Sequence, residues 1–170
     1  MTESKLSQVL TQRREISNEI VNVDEPSVKL VIVSIFGEWF AFHGNCIREI
    51  LAQAKVFFIP GCPDSMEGVI NLRGNIESVI QLQNMLQLPP AQHTDNSHIL
   101  IGQTNSMSSG IRVDKVIDMI DVVESELQSP PSTLPSHLSS IVSSIIQFQK
   151  RPIAVLDLER IFDDYHRGLG

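Results

Sequence analysis

The chain has 170 residues, 42% of them hydrophobic, enough for one domain, or two small ones packed together, to bury a core. A formal charge of −7 with no dense Lys/Arg stripe repels phosphate backbones and argues against a nucleic-acid partner. The longest apolar run, Leu30 to Phe36, is far too short to cross a bilayer and no apolar h-region follows Met1, so the expected location is the cytosol. Cys46 and Cys62 lack a CxxC spacing and read as reduced thiols, with neither a zinc site nor a disulfide framework.

Residues 1–27 read as an extension, flexible or helical: Leu6, Val9, Leu10, Ile16 and Ile20 follow a loose helical spacing that Arg13 interrupts. After Pro26, the β-branched stretch Val28 to Phe36, the turn signal Gly37-Glu38 and the apolar run Trp39 to Phe42 predict a hairpin. Gly68 to Leu72, the turn Arg73-Gly74-Asn75 and Ile76 to Leu82 predict a second. Pro89-Pro90 and the polar stretch Gln92 to Ser97 interrupt the pattern. His98 to Gln103 and Gly110 to Val116 then form another strand pair across Asn105 to Ser109. A proline-rich loop, Ser129 to Pro135, precedes a last hairpin of Ile141 to Phe148 and Pro152 to Leu158, and Asp157 to His166 closes the chain as a short helix.

The two halves follow one plan. A shift of roughly 69 positions lays Leu30-Val31-Ile32 on Ile99-Leu100-Ile101 and Asn45 to Ile50 on Asp114 to Met119. A shift of roughly 76 lays Val79 to Leu82 on Val155 to Leu158. Two repeats are too few for a solenoid, so the pattern predicts an all-β protein of two antiparallel units of four or five strands, about 28–90 and 98–158, packed face to face.

The segment Gly68-Val69-Ile70-Asn71-Leu72-Arg73-Gly74, followed by Ile76 and Val79-Ile80-x-Leu82, closely resembles the signature strand pair of the CheW family. Gly37-Glu38-Trp39-Phe40, Ile47-Arg48-Glu49-Ile50, Gly110 to Val116 and Val155 to Leu158 extend the likeness over about Val28 to Phe162. The resemblance implies two five-stranded SH3-like β-barrels with short helices, including a C-terminal one, in a CheW-like domain over 28–165. It further implies a non-catalytic, cofactor-free cytoplasmic adaptor. Its partners would be the regulatory domain of a CheA-type histidine kinase and the cytoplasmic tip of chemoreceptors, the tip docking in the groove between the barrels. The matched positions implied at that groove are Glu49 and Arg73, as a pair, with Ile47, Gly68 and Gly74 flanking them.

Physically, a helical receptor tip needs an apolar trough with a few rim charges to set register. Gly74 suits a turn with positive φ, and Gly68 a close backbone approach at the strand start. Read from the residues alone, Arg73 is also a solvated turn cation, and Glu49 also an exposed carboxylate paired with Arg48 or Lys55. Trp39, Phe40 and Phe42 read as core rather than as a base-stacking platform. Where the family usually has proline and aspartate, this chain has Ser78 and Gln81. With the N-terminal extension, these keep open a paralogue of the same fold that scaffolds a pilus, gliding or developmental pathway. A more remote alternative is a metal- or small-molecule-responsive sensor built on His43, Cys46 or Cys62.

Overall fold

The computed structural model describes residues 25–89 and 96–168, together with Gln8. The expectations for residues 1–24 and for the polar stretch at 90–95 lie outside the described residues. Glu25 and Pro26 are tied to the body of the protein: the Ser125 N–H donates to the Glu25 carboxylate and the Glu124 N–H to the Pro26 carbonyl.

In chain order come β1 (Ser27–Ile35), β2 (Glu38–His43), a 3-10 turn (Gly44–Cys46), β3 (Ile47–Ala52), β4 (Met66–Leu72), β5 (Asn75–Ile80) and the one-turn helix α1 (Gln83–Leu86). There follow β6 (His98–Gln103), β7 (Ser108–Val113), β8 (Lys115–Val123), a 3-10 turn (Glu124–Glu126), α2 (Ser136–Ser139), β9 (Val142–Phe148), β10 (Arg151–Leu156) and α3 (Leu158–Gly168). The hairpins β1–β2, β4–β5 and β9–β10 turn on two residues with positive φ: Phe36-Gly37, Arg73-Gly74 and Gln149-Lys150. That geometry matches the right-handed twist of the flanking strands.

The strands form two five-stranded sheets, ordered β8-β1-β2-β10-β9 and β3-β6-β7-β5-β4. The second, here the central lobe, comes from the middle of the chain, and the first, the terminal lobe, from both ends. The lobes therefore do not divide at mid-chain as 28–90 and 98–158 do. Exchanging β1–β5 with β6–β10 turns one order into the other, so the repeat is real, but each lobe takes two strands from one repeat and three from the other. Nor are the sheets purely antiparallel: the repeats meet along the parallel pairs β2–β10 and β5–β7.

The expected barrels are corrected as well, because neither sheet is closed by a strand ladder. One reciprocal two-bond bridge spans the gap between the edge strands of each lobe, Phe57 with Val69 and Gln128 with Ile145. Pro60 and Pro63 follow the first bridge and Pro130 and Pro131 the second; having no N–H to donate, they do not extend a ladder.

Side-chain alternation explains why Leu30 to Val33 of β1 reads as an unbroken apolar run. Leu30 and Ile32 point into the terminal lobe, whereas Val31, Val33 and Ile35 point into a core shared by both lobes, so both faces are buried. The lobe interiors correspond position by position: Ile99, Ile101, Ile70 and Val79 stand where the other lobe has Leu30, Ile32, Ile146 and Val155. α3 seals the shared core with Leu158, Ile161, Phe162 and Tyr165, each such burial contributing about 1.5–3 kcal/mol. Phe40 and Phe42 are core residues as expected, and Trp39 packs at the edge of the terminal-lobe interior against Phe148.

Candidate docking cleft

β3 and β8 were not foreseen as strands. They are edge strands whose charged residues, Arg48 and Glu49 in β3 and Lys115, Asp118 and Asp121 in β8, do not follow the period-2 alternation that marks a half-buried strand. Across the lobe boundary they bracket a cleft of about 350 Å³ lined by Lys29 and Val31 of β1, Met119 of β8, Gly44, and Ile47, Arg48, Glu49 and Ile50 of β3. Its floor is apolar: Ile47 packs on the shared core, and Ile50 and Met119 are among the exposed large hydrophobic side chains. A bulge in the β3–β6 ladder leaves Arg48 without a partner residue, which bends the strand and re-aims its side chains.

The ion pair expected between Glu49 and Arg73 is present: the Arg73 guanidinium donates to the Glu49 carboxylate at 2.5 Å. Arg73 is 74% exposed and Glu49 23%, so the carboxylate sits at the cleft wall and the cation outside it. The hairpin turn holds this arrangement. Arg73 and Gly74 have φ of 51° and 86°, and the Asn71 side-chain oxygen accepts from the Gly74 N–H at 2.9 Å. Arg48 pairs not with Glu49 but with Glu77 of β5, at 3.3 Å.

Of the five residues singled out from sequence, the structure brings Ile47 and Glu49 into the cleft lining, and Arg73 and Gly74 beside it. Gly68 stands apart. It is one residue before the seam bridge at Val69, and a Cβ there would overlap the Phe57 carbonyl, so the close approach expected of it is real but structural. Sequence reasoning missed Lys29, Val31, Gly44, Arg48, Ile50 and Met119 as lining residues. No local pattern marks them, because the edge strands that meet at the cleft, β3 and β8, lie far apart in the chain.

His43 and Cys46 share a second, 280 Å³ depression with Asp157 and Glu159. Among the described residues, no group of three or more His, Cys, Asp or Glu side chains is arranged to hold a metal ion. Burial, then the Asp157 and Glu159 carboxylates, push the Cys46 thiol up, which keeps it protonated and a poor ligand at neutral pH. The two departures from the family pattern lie inside the central lobe. The Ser78 hydroxyl is 2.8 Å from that of Ser109, and the Gln81 amide donates to Glu67 at 3.4 Å. Glu67 is itself held by the guanidinium of Arg112 in a largely buried pair that also reaches Ser97. Among the described residues no helix is long and apolar enough to cross a membrane.

Two pseudo-equivalent β-lobes, a shared core and a cleft with an apolar floor and ion-paired walls define a module that works by binding other proteins. The chain belongs to the CheW-like domain family, whose model matches residues 29–166. It is 29% identical to the chemotaxis protein CheW of Bacillus subtilis over 79% of this chain and 86% of that protein. It is 27% identical to the probable chemotaxis protein CheW of Rhizobium etli over 87% and 96%. The crystal structure of the scaffolding protein TtCheW from Thermoanaerobacter tengcongensis is similar with a TM-score of 0.69 and 25% identity, over 78% of this chain and 90% of that one.

Proposed function

We propose that this chain is a non-catalytic cytoplasmic adaptor that couples the tips of chemoreceptors to the regulatory domain of a CheA-type histidine kinase. The observation that carries it is the cleft between the lobes, with Ile47 on its floor and, at its wall, Glu49 paired to Arg73 just outside it, in a chain of the CheW-like family. The apolar floor supplies affinity for one face of a helical hairpin, and the wall charges set its register. Residues 28–165 are the working unit, and 1–27 an extension to it.

Ser78 and Gln81 are bonded within the central lobe and do not line the cleft, so they lend the pilus, gliding or developmental reading no support at the partner surface. The test is a titration of the full chain against the CheA-type regulatory domain of the same genome and against a receptor-tip hairpin. Micromolar or tighter binding to both is expected. Folded protein that binds neither means the fold has been kept for another task.

A further inference from the structure

Arg48 and Glu77 occupy positions that the other lobe fills with hydrocarbon. By the repeat, Arg48 corresponds to Ile117, each being the residue left unpaired by a bulge at the same place in its ladder. Glu77 corresponds to Ile153: each lies opposite an interior isoleucine, Glu77 across from Ile70 and Ile153 across from Ile146. In the terminal lobe Ile117 packs on the buried cluster that contains Ile146 and Ile153, and the seam there is apolar. In the central lobe the same place holds a carboxylate that is only 14% exposed, beside the interior. An inward-facing carboxylate is costly unless paired, and an apolar pair of similar volume is often no less stable. The fold does not require the charges, as the terminal lobe demonstrates.

What the charges achieve is placement. The Glu77 carboxylate accepts from one terminal nitrogen of Arg48 at 3.3 Å, and the Gln103 side-chain oxygen from the other at 3.5 Å. The guanidinium has five N–H donors, so this clamp leaves others unused. Arg48 lines the cleft, with its side chain 43% exposed, next to Glu49. The neighbouring cation, Arg73, stands outside the wall.

We propose that Arg48 is a specificity-determining residue of the docking cleft, held by Glu77 as a positioning residue, and that it takes a carboxylate on the helical partner. The inference rests on the cleft being the receptor-tip site. Glu77→Gln loosens the clamp, whereas the double change Arg48→Ile with Glu77→Ile recreates the seam of the terminal lobe.

The full chain and these two variants are titrated against the receptor-tip hairpin and the kinase regulatory domain at two salt concentrations, alongside thermal melts. The isoleucine pair is expected to melt no lower than wild type yet bind the tip about tenfold more weakly and with a flatter salt dependence, leaving kinase-domain affinity unchanged. Glu77→Gln is expected to weaken tip binding about threefold, and carries the test by itself if the double variant fails to fold. Tip binding within a factor of 1.5 of wild type for every folded variant overturns the inference alone and makes the pair structural. A wild-type chain that binds no tip overturns the cleft reading and this inference with it.

Discussion

The central and terminal lobes are two versions of one design, and their differences separate what folds the chain from what it does. Strand order, interior residues, bulges and the β4–β5 and β9–β10 hairpin turns repeat. The ion pairs of the central lobe do not. Arg48 and Glu77 face Ile117 and Ile153 across the repeat, Glu67 and Arg112 face Ser143 and His43, and Glu49 and Arg73 face Asp118 and Gln149. A lobe of this kind therefore needs its apolar positions and its turns, while its ion pairs are dispensable to the architecture. Two of the three central-lobe pairs reach the wall of the cleft, whereas the terminal lobe contributes the exposed Lys29–Asp121 pair, of which only Lys29 lines it. A cleft whose floor has matching residues from both lobes, Ile50 and Met119, thereby acquires a direction.

The severest way to break the comparison is through the core that both lobes share. Phe162→Ala removes a fully buried ring and is expected to cost about 3–5 kcal/mol. Both lobes should fail in one transition because each sheet contains strands of both repeats; urea curves followed by Trp39 fluorescence and by far-UV circular dichroism should coincide. Separate midpoints for the two probes would show the lobes to be independent.

A gentler contrast sets Gly68 against its counterpart Ser144, which is buried and has room for its Cβ. Gly68→Ser must displace the Phe57 carbonyl and open the seam bridge, an expected loss of about 2–3 kcal/mol in denaturant unfolding. Ser144→Gly should cost only about 0.5–1 kcal/mol.

Arg112→Met leaves the Glu67 carboxylate largely buried without its cation. It is expected to destabilise by about 2 kcal/mol, less than a fully buried pair because both side chains keep some exposure. Grafting the terminal-lobe residues by Glu67→Ser with Arg112→His should recover most of that loss in the same measurement. The smallest stability effect belongs to Arg73→Glu, within about 0.5 kcal/mol by thermal melting, because the guanidinium is mostly in solvent. Its binding effect should be large: like charges then meet at the cleft wall, and receptor-tip affinity is expected to fall at least tenfold.

By itself the sequence determined the hairpins and the repeat, since turn chemistry and runs of β-branched residues are local. Arg73-Gly74 between two apolar runs calls for a tight turn, and the β-branched stretch from Val28 to Phe36 for a strand, whose burial on both faces only the structure shows. The sequence also placed Glu49 and Arg73 together, through the family resemblance rather than through any spacing. Only the tertiary structure decided that the repeats exchange strands, because β2–β10 and β5–β7 are parallel pairs with no connecting turn to announce them. For the same reason it alone showed the open seams, the cleft between β3 and β8, and the choice of Glu77 as the partner of Arg48. Those contacts join residues far apart in sequence, and burial of the shared core brings them together.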